Sequence, residues 1–159
     1  MPRPDIGFPD GNPDERELLL SWLGFLRGAV MRKADGLSDE QARWRPEGHL
    51  ISLAGIINHL THVEWRWTEG AMLDKHVSRD ESEFHPGAEL PIAVARERYR
   101  ARAAQTDALA RGMPSLSEPS VRGRGRDLRW ILLHLINETA RHAGHADSTR
   151  ELLDGITGE

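Results

Sequence analysis

Histidines and one glutamate recur at helical spacing near the end of the chain. His134, Glu138, His142 and His145 follow one another at intervals of four, four and three residues. At about 100° per residue, they fall within about 80° of one another on one helix face. Apolar residues share that face, so we expect these polar groups to point toward the core. A buried carboxylate among imidazoles is costly unless it is paired, hydrogen-bonded or bound to a metal.

A second pair of histidines lies earlier in the chain, where His59 and His62 share a face with Ile56 and Val63. Two helices of a bundle could therefore aim imidazoles and a carboxylate at one point, which is a common way to build a metal site. A plainer interpretation also stands. A Glu and a His four residues apart are frequent surface neighbours, and His134 could be a hydrogen-bonded core histidine. Spacing alone leaves both interpretations open.

Four segments with apolar residues at three- and four-residue spacing predict four long helices. They run from an Asn12-Pro13 cap to Asp35-Gly36, from Ser52 to Met72, from Pro91 to about Arg111, and from an Asp127 cap to about Leu153. A capping box at Ser38 to Gln41 predicts an additional short helical turn between the first two.

Four helices without a strand pattern predict an all-α four-helix bundle. The connection 74–89 has about sixteen residues, and at about 3.3 Å each they can run the length of a 30 Å helix. A crossover there gives up-down-down-up topology. We expect residues 1–12 to be a flexible N-terminus without a secretory signal, and residues 13–159 to form one domain.

Two other groups of residues have competing interpretations. Trp65, Trp67 and Trp130 could line a pocket, although aromatic residues at helical spacing more often fill a core. The arginines of the run 122–126 could bind the carboxylate of a small anionic ligand, or could simply lie on a solvated loop.

Composition excludes several classes of function. The net charge of −4 argues against a nucleic-acid partner, and no stretch is apolar enough to span a membrane. The chain contains no cysteine, so a metal must be held by His and carboxylate, and thiol chemistry requires an external thiol. The expected location is the cytoplasm.

Two long stretches resemble one superfamily. Residues 52–67 (SLAGIINHLTHVEWRW) resemble the second helix of the DinB/YfiT-like superfamily, and residues 128–147 (LRWILLHLINETARHAGHAD) resemble its last helix. Residues 37–46 (LSDEQARWRP) are typical of an actinobacterial branch of DinB family proteins. The resemblance implies a four-helix bundle with up-down-down-up order, and it makes a homodimer plausible.

The resemblance also implies a metal site. The superfamily holds its metal with a His on the second helix and a pair four residues apart on the last, which here are His59 with Glu138 and His142. A Glu-His pair is similar to that of relatives of mycothiol-dependent maleylpyruvate isomerase. Two His and one carboxylate suit Zn²⁺, Ni²⁺ or Fe²⁺ and leave positions free for water or substrate. His145 and His62 are the candidate catalytic residues, as bases or as partners of the metal ligands. His145 could also be a fourth ligand, and either histidine could simply pack on the helix surface.

Three functions are compatible with this sequence. The first, implied by the resemblance, is a metal-dependent S-transferase or isomerase that uses a low-molecular-weight thiol such as mycothiol. The second is a metal-dependent hydrolase, with His145 or His62 handling protons. The third is a non-enzymatic metal-binding or stress-related bundle, in which the metal only stabilises the fold.

Overall fold

The computed structural model of the chain describes residues 7–48 and 50–157. Its α-helices are α1 (Glu15–Arg32), α2 (Asp39–Arg43), α3 (Leu53–Trp65), α4 (Ile92–Gly112) and α5 (Leu128–Asp154), and shorter 3₁₀ turns cover Pro46–Gly48 and Glu81–Phe84. Within the described ranges there is no β-strand, only an isolated bridge between Pro119 and Asp127. The predicted all-α class is therefore confirmed.

Side-chain caps begin α2, α3 and α5 where the sequence predicts them. Ser38 and Gln41 form a reciprocal capping box at α2. Ser52 accepts from the Gly55 N–H at the start of α3, and Asp127 accepts from the Trp130 N–H at the start of α5. These contacts are local in sequence, so the residue types at fixed offsets are enough to predict them.

The start of α1 differs from the prediction. Asp14, not Asn12, caps this helix, because its carboxylate accepts from the N–H groups of Arg16 and Glu17. Asn12 instead accepts from the Asp14 N–H and forms a turn before the helix. Of the residues predicted to form a flexible N-terminus, 1–6 lie outside the described ranges.

The helix predicted to reach Met72 changes its geometry before that point. After α3, residues Arg66–Met72 form a π-helix. Within this turn the Thr68 hydroxyl donates to the Glu64 carbonyl at 2.7 Å, in competition with the regular backbone bond. Such widened turns often occur at functional sites, and this one carries Arg66 and Trp67.

Contacts at the helix ends define how the long helices run. Helices α1 and α5 meet start to start through Glu15 and Arg129, and end to end where Arg150 donates to the Lys33 carbonyl. They are therefore parallel. Helix α4 runs opposite to α1, because Arg111 contacts Glu17 and Arg96 contacts Asp35. Helix α3 runs opposite to α5, because Thr149 donates to the Ile51 carbonyl. These directions support the predicted up-down-down-up order.

A buried ion pair joins three of the long helices. Arg27 of α1 makes two hydrogen bonds to Glu64 of α3, at 2.7 and 2.8 Å, and Thr106 of α4 donates to the same carboxylate at 2.7 Å. Asp107 also accepts from Arg27. The apolar core forms two clusters, one rich in residues of α3 and α4 and the other in residues of α5.

Candidate metal centre

His59 lies in the middle of α3 with a buried side chain. Its ring stacks on Phe84 with the centroids 4.2 Å apart, and its Nδ1 lies 2.9 Å from Oε1 of Glu83. An ionised carboxylate can only accept, so Nδ1 carries the proton and donates it. The lone pair of the imidazole is therefore on Nε2, which faces α5.

The orientation of Glu83 is itself fixed. Arg66 donates to both of its carboxylate oxygens, at 2.7 and 2.9 Å. Although burial alone raises the pKa of Glu83, the hydrogen bonds from Arg66 and His59 hold that pKa below its ordinary value. Glu83 is therefore an anion that holds His59 in one tautomer and one ring orientation, as carboxylates commonly do behind metal-binding histidines.

Helix α5 supplies the other two members of the cluster. Glu138 and His142 are four residues apart, and Oε2 of Glu138 lies 3.7 Å from Nε2 of His142. The same oxygen lies 4.0 Å from Nε2 of His59, and the two imidazole rings are 4.7 Å apart at a steep angle. Adjacent antiparallel helices thus bring the two Nε2 atoms and the carboxylate to one point.

Burial favours the neutral form of both histidines of the cluster. Burial lowers the pKa of His59, and it lowers the pKa of His142 to about 4, with a further contribution from the neighbouring His59. A neutral imidazole keeps the lone pair that a metal ion requires. Burial therefore favours the protonation state that binding of a metal ion would require.

The dimensions of the cluster also suit a metal ion. One donor atom from each of His59, Glu138 and His142 lies within 4.8 Å of the others. Ligands about 2.1 Å from a common Zn²⁺ are roughly 3 to 4 Å apart, so movements of less than about 1 Å would complete the site. Among the residues that the structure describes, no other group of three such side chains has this arrangement.

His145 and His62 do not face the centre of the cluster. Nδ1 of His145 lies 3.4 Å from Nδ1 of His142, on the side of that ring away from the cluster. His145 is exposed rather than turned toward the core as the sequence predicted. At about 100° per residue it lies about 60° from the buried His142, on the side of Glu138 and His134 and therefore at the edge of the buried face. Nδ1 of His62 is 2.8 Å from the Asn58 carbonyl, and His62 lines a polar cavity of about 320 Å³ that also includes Glu83.

The predicted aromatic residues separate into two places. Trp67 and Trp130 meet with centroids 5.2 Å apart, and the ring of His134 stacks on Trp130 at 5.1 Å. Trp65 is elsewhere, with its indole N–H donating to Glu69 at 3.3 Å. His134 is thus held among aromatic rings one turn before Glu138 and is not part of the three-residue cluster.

The sequence reasoning missed Glu83 and Arg66. Glu83 lies in the segment predicted to be a plain connection, and only its 3₁₀ turn, capped by Asp80, turns it inward. The sequence does contain a signal for this cap, because Asp80 precedes Ser82 by two residues. Nothing local distinguishes Glu83 from the exposed Glu81 in the same turn.

The fold and this cluster together define an all-α bundle with a candidate metal centre between α3 and α5. No helix in the described part of the chain is long and apolar enough to cross a membrane. A search of the curated proteins gives no match. Residues 18–155 match the family model described as Mycothiol-S-transferase. The chain therefore belongs to the mycothiol S-transferase family, and the predicted DinB/YfiT-like relationship is confirmed.

Proposed function

We propose that this protein is a metal-dependent enzyme that transfers the sulfur of a low-molecular-weight thiol, mycothiol or a similar one, to an electrophile. The observation that carries the proposal is the open cluster of His59, Glu138 and His142 in a member of this family. Three protein ligands leave coordination positions for a thiol, which is the arrangement of a catalytic site rather than a closed structural one.

In this proposal Nε2 of His59, Nε2 of His142 and the carboxylate of Glu138 hold one divalent ion, Zn²⁺, Ni²⁺ or Fe²⁺. When bound, such an ion lowers the pKa of a coordinating thiol and so supplies the sulfur as a thiolate. The sulfur forms the new bond to the electrophilic carbon, and the leaving group departs with its bonding electrons. An isomerase would instead release the thiol again after the rearrangement.

The chain's own residues orient the ligands and manage protons. Glu83 keeps the Nδ1 proton on His59. His145 does the same for His142 when its Nδ1 accepts from Nδ1 of His142, which lies 3.4 Å away. His62 donates from Nδ1 to the Asn58 carbonyl, which leaves its Nε2 free to take a proton. We assign His62 and the exposed His145 as the proton carriers between the site and solvent.

The absence of cysteine is consistent with this chemistry, because no thiol of the chain can compete with the external one. We also propose a cytoplasmic location, where small thiols are kept reduced. A homodimer remains a prediction from the resemblance, and sedimentation of the purified protein would test it.

Elemental analysis of protein purified without a His tag tests the metal site. We expect one equivalent of a divalent metal in the parent, and its loss in His59→Ala and in His142→Ala. The matched control is His85→Ala, because His85 is an exposed histidine outside the cluster. A parent that holds no metal even after reloading would overturn the proposal.

Turnover tests the reaction. Metal-loaded protein should accelerate the coupling of mycothiol to 1-chloro-2,4-dinitrobenzene, followed by the absorbance of the thioether, and metal removal should abolish the acceleration. Hydrolysis of model esters by a metal-loaded protein that does not couple thiols would contradict the transferase function and favour the hydrolase. Metal that raises the melting temperature, without any turnover or thiol binding, would favour a non-enzymatic bundle.

A further inference from the structure

A cavity of about 390 Å³ opens beside the π-helix, between the segment 75–79 and the loop 122–126. This volume is in the range of small-molecule sites. Six of the side chains that line it are permanently cationic: Arg66, Lys75, Arg79, Arg122, Arg124 and Arg126. Within the described ranges no Asp or Glu lines it. Such a concentration of positive charge is unexpected in a chain whose net charge is −4.

Only some of these cations are neutralised. Arg66 binds Glu83, Arg122 binds Asp74, and Lys75 lies 3.5 Å from Glu69. Arg79, Arg124 and Arg126 have no carboxylate partner among the residues that the structure describes. The cavity therefore presents an excess of positive charge, which focuses an attractive field on a small anion.

One wall of the cavity is aromatic. The guanidinium of Arg126 lies 4.2 Å from the ring centroid of Trp130 and 5.4 Å from that of Trp67. Stacking covers the face of the guanidinium but leaves its edge N–H groups free to bind a carboxylate in two places. Trp67 itself lines the cavity. The wall thus offers a fixed cation beside a flat apolar surface.

Two contacts connect this cavity to the candidate metal centre. Arg66 lines the cavity and also holds Glu83, the carboxylate behind His59. Trp67 contacts the ring of His134 at 4.7 Å, and His134 precedes Glu138 by one helical turn, about 6 Å along α5. The cavity and the candidate metal centre are therefore neighbours, joined by Arg66 with Glu83 on one side and by Trp67 with His134 on the other.

The geometry points to this cavity as the binding site for the electrophilic co-substrate, which is a planar organic molecule that carries a carboxylate. The carboxylate binds Arg124 and Arg126, and the flat part of the molecule lies against Trp67. The assignment rests on the proposed thiol transfer, since it names the substrate class of the same site. The loop 122–126, for which the sequence left a solvated surface as an alternative, becomes a specificity element.

Binding of an unreactive probe tests the cavity without requiring activity or metal. We compare 3,5-dinitrobenzoate with 3,5-dinitrobenzamide, which has the same flat shape without the charge, by calorimetry and by quenching of tryptophan fluorescence. Metal-free parent protein should prefer the benzoate by about tenfold or more, because a bidentate charged hydrogen bond contributes at least that much. Added salt should weaken the preference.

Two variants assign the preference to the loop. Arg124→Gln combined with Arg126→Gln should abolish it, and Arg124→Gln alone, which removes an exposed side chain without a partner, should reduce it. The control is Arg100→Gln, because Arg100 is exposed on α4 outside the cavity and the change in net charge per site is the same. Arg66 is not varied, since its loss would also disturb Glu83.

Equal binding of the two probes, or a preference that survives in the double variant, would overturn the inference. These outcomes are independent of the metal assay. Preferential binding of the benzoate without metal or thiol turnover would contradict the proposed function but still support the anion site. Turnover of neutral electrophiles without a preference for the benzoate would contradict only the anion site.

Discussion

Glu83 offers the sharpest test of how the candidate metal centre is held together. Glu83→Gln preserves the volume of the side chain but removes its charge and one acceptor. The buried carboxylate of the parent accepts from His59 at 2.9 Å and from Arg66 at 2.7 and 2.9 Å. The amide of glutamine can satisfy only some of these donors, and its NH₂ group faces a guanidinium that also donates.

The expected magnitude follows from those contacts. Loss of the partner behind a metal-binding histidine typically lowers metal affinity 10- to 100-fold, which is about 1.4 to 2.8 kcal/mol. The free energy of unfolding of the metal-free protein should fall by about 1 to 3 kcal/mol, because hydrogen bonds to a buried charge are lost. Arg66 is still 18% exposed, which limits the cost of leaving it without an anion.

Competition with a chelating dye measures the affinity for Zn²⁺, and urea denaturation measures the stability of the metal-free protein. The matched control is Glu81→Gln, because Glu81 lies in the same 3₁₀ turn but is exposed. This control should leave the affinity within about twofold of the parent, as an exposed charge is screened by solvent.

Two results would refute the reasoning. If Glu83→Gln is less stable but binds Zn²⁺ as tightly as the parent, then Glu83 supports only the fold, and the stack on Phe84 is enough to orient His59. If Glu81→Gln weakens binding by as much as Glu83→Gln, the effect comes from general negative charge near the site and not from the hydrogen bond to Nδ1.

Three further predictions address other parts of the molecule. Glu64→Ala should lower the free energy of unfolding by about 3 to 5 kcal/mol in urea denaturation, because it leaves Arg27 charged and buried; a loss below about 1 kcal/mol would contradict this. Because burial lowers the pKa of His142 to about 4, the metal-free protein should lose stability as pH falls from 6.5 toward 4, where the unfolded chain binds a proton and the folded one does not. The melting temperature of His142→Asn should fall less over that range, and equal slopes would argue against a buried neutral imidazole. His62→Gln should reduce thiol turnover at saturating thiol without changing the metal content, whereas loss of the metal would show that His62 acts on the cluster itself.

Sequence alone was enough for features whose determining contacts are local. The caps at Ser38, Ser52 and Asp127 each accept from the N–H group three positions further along the chain, so residue type and offset predict them. Glu138 and His142 share a helix face at a spacing of four for the same reason. At the start of α1 both Asn12 and Asp14 are suitable cap residues, and the sequence pattern predicted the wrong one.

Tertiary structure decided everything that depends on one element meeting another. The hydrogen bond between His59 and Glu83 joins residues 24 positions apart, and only the docking of the 3₁₀ turn against α3 turns Glu83 inward while Glu81 stays exposed. The π-helix likewise directs Arg66 to that carboxylate. The chain thus specifies in its sequence which side chains could bind a metal. Packing determines which of them converge, because convergence depends on the relative placement of helices, which no short window of sequence encodes.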